Sequence, residues 1–142
     1  MKVFLDTSVF VAAFWGDHPQ HEASVALFKP AAPSRAFCAA HTVAEVYSTM
    51  TRLPAKPPIP PEQALLFIRQ MRERFTVISL TDEEYCETIE RLAGTGLAKS
   101  YIYDGLIMRA AEKSAAGAIY TWNTGHFQRV SPAAIAARLR TP

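Results

Sequence analysis

Three carboxylates of this chain, Asp6, Glu45 and Asp104, sit where a parallel sheet would bring acids together. Asp6 directly follows Val3-Phe4-Leu5, a short apolar run that reads as a buried strand. Open parallel sheets gather ligands outside the carboxyl ends of their strands, so an acid at that point is a candidate ligand. It also suits an N-cap for the helix that begins near Thr7, since a short acid accepts orphan amide hydrogens well. Glu45 comes soon after a second buried run, Ala36-Phe37-Cys38-Ala39, which predicts the same sheet edge for it. Thr42-x-x-Glu45 fits a capping box as well, the spacing that recurs at Thr81-Asp82-Glu83-Glu84 with only a structural use indicated. Asp104 lies in the first turn of a helix predicted over Ser100 to Ala116, three and four residues before Ile107 and Met108, on or beside the inward face. A carboxylate there is costly without cationic compensation. A helix N-terminus contributes only ~0.3–1 kcal/mol, and a metal ion would supply the rest.

The elements that position these acids follow from punctuation and period. Ser8 to Trp15 reads as a helix with more apolar surface than one face can bury, broken by Gly16-Asp17-His18-Pro19. Gln20 to Lys29 is a second helix turning Ala23, Leu27 and Phe28 inward; His18 and His21 read as solvated residues beside it. Val43, Val46, Tyr47 and Met50 give helical period from Thr42 to Arg52. The proline-dense Leu53 to Pro61 is a stiff loop. Glu62 to Arg74 is a helix expected to bury Leu65, Leu66, Ile68 and Met71, with Arg69, Arg72 and Arg74 on a basic side. Phe75 to Leu80 is the third strand, Thr81 to Ala93 a helix, and Ala118 to Thr121 the fourth strand, followed by Trp122-Asn123. Gln128 to Val130 reads as an edge strand and Pro132 to Leu139 as a closing helix. Strands alternating with helices imply an α/β sandwich on a parallel sheet, with Asp6, Glu45, Asp104 and the Thr121-Asn123 turn at one edge.

At 142 residues the chain predicts one domain spanning 1–142. Four aspartates, Asp6, Asp17, Asp82 and Asp104, stand against ten arginines, and the formal charge of +2 is too small to identify a polyanion partner. Cys38 and Cys86 read as buried free thiols of a cytoplasmic protein. No apolar run is long enough to cross a bilayer, so no membrane association is expected.

The pieces Val3-Phe4-Leu5-Asp6-Thr7-Ser8, Ala40 to Tyr47 with Thr51-Arg52-Leu53-Pro54 behind it, Tyr103-Asp104-Gly105-Leu106-Ile107, and Thr121-Trp122-Asn123 with Phe127 resemble a PIN domain. More narrowly, they resemble the VapC-type toxins of bacterial toxin–antitoxin pairs. The resemblance spans nearly the whole chain. It implies a three-layer sandwich with a five-stranded parallel sheet, Mg²⁺- or Mn²⁺-dependent endoribonuclease activity, a cognate antitoxin peptide or protein, and a homodimer. It implies Asp6 and Asp104 as direct metal ligands, with Glu45 holding or activating water and Thr7, Ser8 and Thr121 bonding ligands or a phosphate oxygen. Acids without a histidine or cysteine cage favour Mg²⁺ over zinc, in agreement. The family's fourth acidic position falls on Asn123, which carries no charge, and His126 stands where relatives often have another aspartate. A single tightly held metal, or activity against few RNAs, fits that departure better than two-metal hydrolysis.

Two other functions fit parts of the pattern. An aspartate-nucleophile phosphatase also begins with a strand ending in Asp, but usually has a second acid two residues on, where this chain has Ser8. A PIN-like domain without catalysis would act as an RNA-binding or regulatory module. The excess of Phe10, Phe14 and Trp15, with Phe67 on a later helix, predicts an apolar groove with Phe14 or Trp15 exposed in the free domain, and the resemblance implies that an antitoxin helix lies in it.

Overall fold

The computed structural model describes residues 1–142. Its elements run β1 (Val3–Leu5), α1 (Thr7–Phe14), α2 (His21–Phe28), β2 (Ala36–Ala39), α3 (Ala40–Arg52), α4 (Pro61–Arg74) and β3 (Thr76–Ile78). They continue with α5 (Asp82–Gly94), α6 (Tyr101–Ser114), β4 (Ala118–Tyr120), α7 (Thr124–Val130), α8 (Ala133–Ala136) and β5 (Leu139–Arg140). All four strand pairings are parallel, in the order β3-β2-β1-β4-β5. The chain therefore builds the sheet outward from β1 in one direction and then returns to add β4 and β5 on the other side. The reversal leaves a crevice between β1 and β4, beyond their carboxyl ends, where such sheets bind ligands.

Alternation along the short strands divides the core in two. Phe4 and Ile119 belong to an apolar cluster that includes Ile107, Met108, Phe127 and Val130. Leu5 and Cys38 face another with Phe10, Phe28, Met50, Met71 and Phe75. Helices thus cover both faces, as the predicted sandwich requires. On the second face aromatic rings carry much of the packing: Phe10 meets Phe75 edge-on at 4.8 Å, a geometry worth ~0.5–1.5 kcal/mol beyond area burial.

Several elements differ from the sequence reading. Gln128 to Val130 is no strand; it ends α7, because Phe127 and Val130, three apart, are both buried as one helical face. The edge strand is β5, where Leu139 pairs with Ile119, and the closing helix shrinks to the single turn α8. Leu65 and Leu66 are 43% and 52% exposed; α4 buries Met71, as expected, together with Ala64. Cys86 is exposed, whereas Cys38 is buried and its thiol is pushed up to about 12 by that burial. Phe14 and Trp15 are half-buried, with Phe14 stacked on Phe67 at 4.7 Å and edge-on to Phe28 at 5.2 Å. Part of the apolar excess of α1 is thus taken up by α2 and α4 within the domain, and Phe14 and Trp15 are less exposed than expected. No helix is long and apolar enough to cross a membrane.

Candidate active site

Asp6 ends β1 and caps α1, so both readings of this residue hold at once. Its backbone N–H donates to the Tyr120 carbonyl at 3.2 Å, and its Oδ1 accepts from the Val9 amide at 3.3 Å. Oδ1 also accepts from the Ser8 hydroxyl at 2.6 Å, and Oδ2 accepts from the Thr121 hydroxyl at 2.8 Å. Ser8 and Thr121 in turn accept from the amides of Trp122 and Asn123, at 3.0 and 2.9 Å. The turn after β4 is thereby fastened to the end of β1 through one carboxylate. That carboxylate is 2% exposed, and burial raises its pKa from 3.8 to about 6 against the lowering effect of its hydrogen bonds.

Glu45 reaches the same place from α3. The helix starts at Ala40 with Ala39 as its N-cap, which puts Thr42 inside the first turn and rules out the capping box. Glu45 Oε1 instead accepts from the Thr7 hydroxyl at 2.7 Å, and that hydroxyl lies 3.1 Å from the buried Thr42 hydroxyl. At Thr81 and Glu84, by contrast, both capping-box bonds are present, and Glu84 further pairs with Arg109 and Lys113.

Asp104 is delivered by α6, with Ile107 and Met108 buried beside it. Gly105 lets that helix sit close on α5, since a Cβ there would lie 2.7 Å from Leu92 Cδ1. The Asp104 pKa is raised, first by burial; the His126 charge lowers it and Glu45 raises it again. His126 Nδ1 stands 3.7 Å from Asp104 Oδ2.

One cleft of about 510 Å³ is lined by Asp6, Thr7, Ser8, Glu45, Asp104 and Asn123, together with Val11, His18, Gln20, Thr49, Ile107, Trp122 and Phe127. Thr121 lies behind its wall, fully buried against Asp6. Every candidate from the sequence is therefore at or directly behind the cleft. Thr49 was not foreseen, although it lies four residues beyond Glu45 and so one turn along the same face. His18, read as solvated, lines the rim, where its Nδ1 accepts from the Gln20 amide at 3.0 Å; His21 bonds the Ala12 carbonyl oxygen instead, at 2.8 Å.

The charge balance of the cleft decides what it can take. None of the three acids forms a salt bridge with lysine or arginine; only His41 and His126 come near, each 3.7 Å from a carboxylate oxygen. No group of three His, Cys, Asp or Glu side chains is close enough to form a metal cage alone. The donors are oxygens facing water-accessible space, which fits a hard cation that keeps several waters and takes only one or two carboxylates.

The profile of the PIN domain family matches residues 3–131. The chain belongs to the PIN domain family. Among solved structures, this PIN domain is similar to VapC20 of Mycobacterium tuberculosis, a sarcin-ricin loop cleaving toxin. The TM-score is 0.70 at 15% identity, over 88% of this chain and 92% of that one. It is similar to VapBC2 of Rickettsia felis bound to a promoter DNA fragment, with a TM-score of 0.66 at 19% identity over 100% and 99% of the two chains. It also resembles FitAcB of Neisseria gonorrhoeae, with a TM-score of 0.59 at 18% identity over 90% and 92%. No curated protein sequence matches significantly. At such identities these neighbours bear on the fold, and the family assignment rests on the profile.

Proposed function

We propose that this PIN domain is a divalent-cation-dependent endoribonuclease and the toxin of a toxin–antitoxin pair. The observation that carries the reading is a buried carboxylate, Asp6, joined by Asp104 and Glu45 at the topological switch point with no lysine or arginine against any of them. Asp6 and Asp104 would hold Mg²⁺ or Mn²⁺. Asp6 is prepared for this: three donors fix its rotamer, while two carboxylate oxygens offer about four lone-pair sites and leave one to spare. When bound, such a cation lowers the pKa of coordinated water and offsets charge developing on a phosphate.

The chain's own groups supply the remaining steps. Thr7 fixes Glu45 through Oε1, which leaves Oε2, 3.7 Å from His41 Nε2, as the acceptor for a proton from the attacking water. The water oxygen bonds to phosphorus, the phosphorus–oxygen bond to the leaving ribose oxygen breaks, and that oxygen takes a proton from solvent. Ser8 and Thr121 spend their protons on Asp6, so they position a ligand and do not contact phosphate. Asn123 lines the cleft as an uncharged donor and acceptor, which supports one tightly held cation over two. Likeness in fold to VapC20, VapBC2 and FitAcB supports a protein antitoxin as partner.

The test is cleavage of single-stranded RNA with Mg²⁺ or EDTA. Wild type should cleave only with Mg²⁺, and Asp104→Asn should lose cleavage while keeping its circular dichroism. Full activity of Asp104→Asn, or hydrolysis of a small phosphate ester without RNA cleavage, refutes the reading. Growth arrest on expression, relieved by the protein of an adjacent small reading frame, tests the toxin assignment.

A further inference from the structure

We infer that a second recess, beside the acid cleft, receives an unpaired base of the RNA next to the scissile phosphate, with Tyr103 as the stacking platform and Arg52 as a phosphate contact. This rests on the ribonuclease reading above and adds to it how the strand is held. The recess, about 250 Å³, is lined by His41, Glu45, Ser48, Thr49, Arg52 and Tyr103. Glu45 and Thr49 also line the acid cleft, so the two spaces share a wall and a single strand could occupy both.

Tyr103 immediately precedes Asp104 in α6, which ties the ring to the position of the acid. The His41 imidazole lies parallel to it, at 0° between planes and 5.1 Å between centroids. Even with the imidazole beside it, Tyr103 is 50% exposed, so much of the phenol stays open. A flat ring held parallel to a neighbouring ring and half open to solvent is a surface on which bases stack, and stacking tolerates any base because each has a π-face. Arg52 Nε donates to the Ser48 carbonyl at 3.2 Å, which anchors the guanidinium and leaves its terminal N–H groups without a protein acceptor. Those groups can bind a phosphate as a fork.

The lining also argues for a base over an apolar side chain of a protein partner. Tyr103 is the one hydrophobic residue of the recess, and an aliphatic anchor would strip water from Ser48 and Thr49 without replacing its hydrogen bonds. A base has polar edges that satisfy those hydroxyls while its face covers the ring.

Binding is measured by anisotropy of a fluorescein-labelled, single-stranded oligoribonucleotide of randomised sequence, in an Asp6→Asn background that blocks turnover. Tyr103→Ala should weaken affinity roughly tenfold, and Tyr103→Phe, which keeps the ring, should restore it. In the otherwise native enzyme Tyr103→Ala should raise KM more than it lowers kcat. Arg52→Ala should reduce the slope of log affinity against log salt by about one. An oligonucleotide carrying 2-aminopurine at successive positions should show quenching at one position when Tyr103 is intact or replaced by Tyr103→Phe, and at none with Tyr103→Ala. Undiminished RNA affinity of Tyr103→Ala, while wild type cleaves RNA, overturns this inference alone. Absence of both RNA binding and cleavage by wild type overturns it together with the ribonuclease reading.

Discussion

Replacing Asp6 by asparagine should stabilise the metal-free protein near neutral pH, the opposite of what the loss of a buried, hydrogen-bonded side chain ordinarily does. Burial raises the Asp6 pKa from 3.8 to about 6. Between those values the native state holds a proton that the unfolded chain has released, so stability falls as pH rises. The contribution is fully present below about 3.8 and is lost once pH has passed about 6. Each unit of pKa corresponds to ~1.36 kcal/mol, so the ionised carboxylate costs the fold about 3 kcal/mol. Asparagine avoids that cost. Its oxygen can accept from Ser8 and Val9, while its amide faces Thr121, whose hydroxyl can rotate to accept. Allowing about 1 kcal/mol for exchanging charge-assisted bonds for neutral ones leaves a net gain of about 2 kcal/mol. For a chain of this size that is roughly 4–8 °C in melting temperature.

The assay is thermal denaturation in EDTA from acid to neutral pH, repeated with Mg²⁺. Wild type should lose stability as pH rises from about 4 to 6 and Asp6→Asn should not share that slope. With Mg²⁺ at roughly a hundredfold above its Kd, wild type should gain ~2.7 kcal/mol and the variant much less. An Asp6→Asn protein less stable than wild type in EDTA at neutral pH would refute the argument, because the carboxylate would then be compensated by the protein itself.

Glu45→Gln keeps an acceptor for Thr7 but cannot take a proton, so kcat for RNA cleavage should drop ~10²–10⁴-fold at unchanged melting temperature; a stability loss with activity retained would count against the assignment. Asn123→Asp adds a charge to the cleft wall and should tighten Mg²⁺ binding in a calorimetric titration, and unchanged affinity would separate Asn123 from the cation. Glu84 is held down at about 2, from 4.5, chiefly by its hydrogen bond with Lys113. Its stabilisation is present above about 4.5 and is lost as pH falls toward 2, so Glu84→Gln should remove that limb of acid denaturation without altering cleavage.

What was legible in the sequence was whatever depended on a strand ending at a polar residue. Val3-Phe4-Leu5 before Asp6 and Ala118-Ile119-Tyr120 before Thr121 became neighbouring strands, and their trailing residues meet because parallel pairing aligns strand ends. Glu45 was ambiguous because the capping box is a local spacing, whereas its partner Thr7 lies on another helix. The two-residue strand β5 was missed since Leu139 and Arg140 are too few to show a period, and its existence depends on pairing with β4. Leu65 and Leu66 were misplaced by a rule that counts apolar residues without knowing which side of α4 meets α3. The recess at Tyr103 has no motif, because His41 and Tyr103 come together only when α3 and α6 pack.

The two kinds of carboxylate in this chain carry the case for the proposed cation. Glu84 accepts from Lys113 at 2.7 Å and pairs with Arg109 at 3.0 Å, and its pKa falls. Asp6 has hydrogen bonds of comparable quality, from two hydroxyls and an amide, yet its pKa rises. Neutral donors therefore orient the Asp6 carboxylate without cancelling its burial; the sites differ first in burial, complete at Asp6 and only partial at Glu84, and then in the positive charge that stands against Glu84 and not against Asp6. Asp104 repeats the Asp6 pattern, with Glu45 adding to the unfavourable charge. A fold that needed Asp6 only as a helix cap could use serine or asparagine at little cost, since both cap helices well. Ionised, Asp6 destabilises the domain that contains it, and binding a cation from outside would recover that loss. With the cation placed as proposed, one carboxylate sets both stability and cation affinity, so substitutions that raise the first should weaken the second.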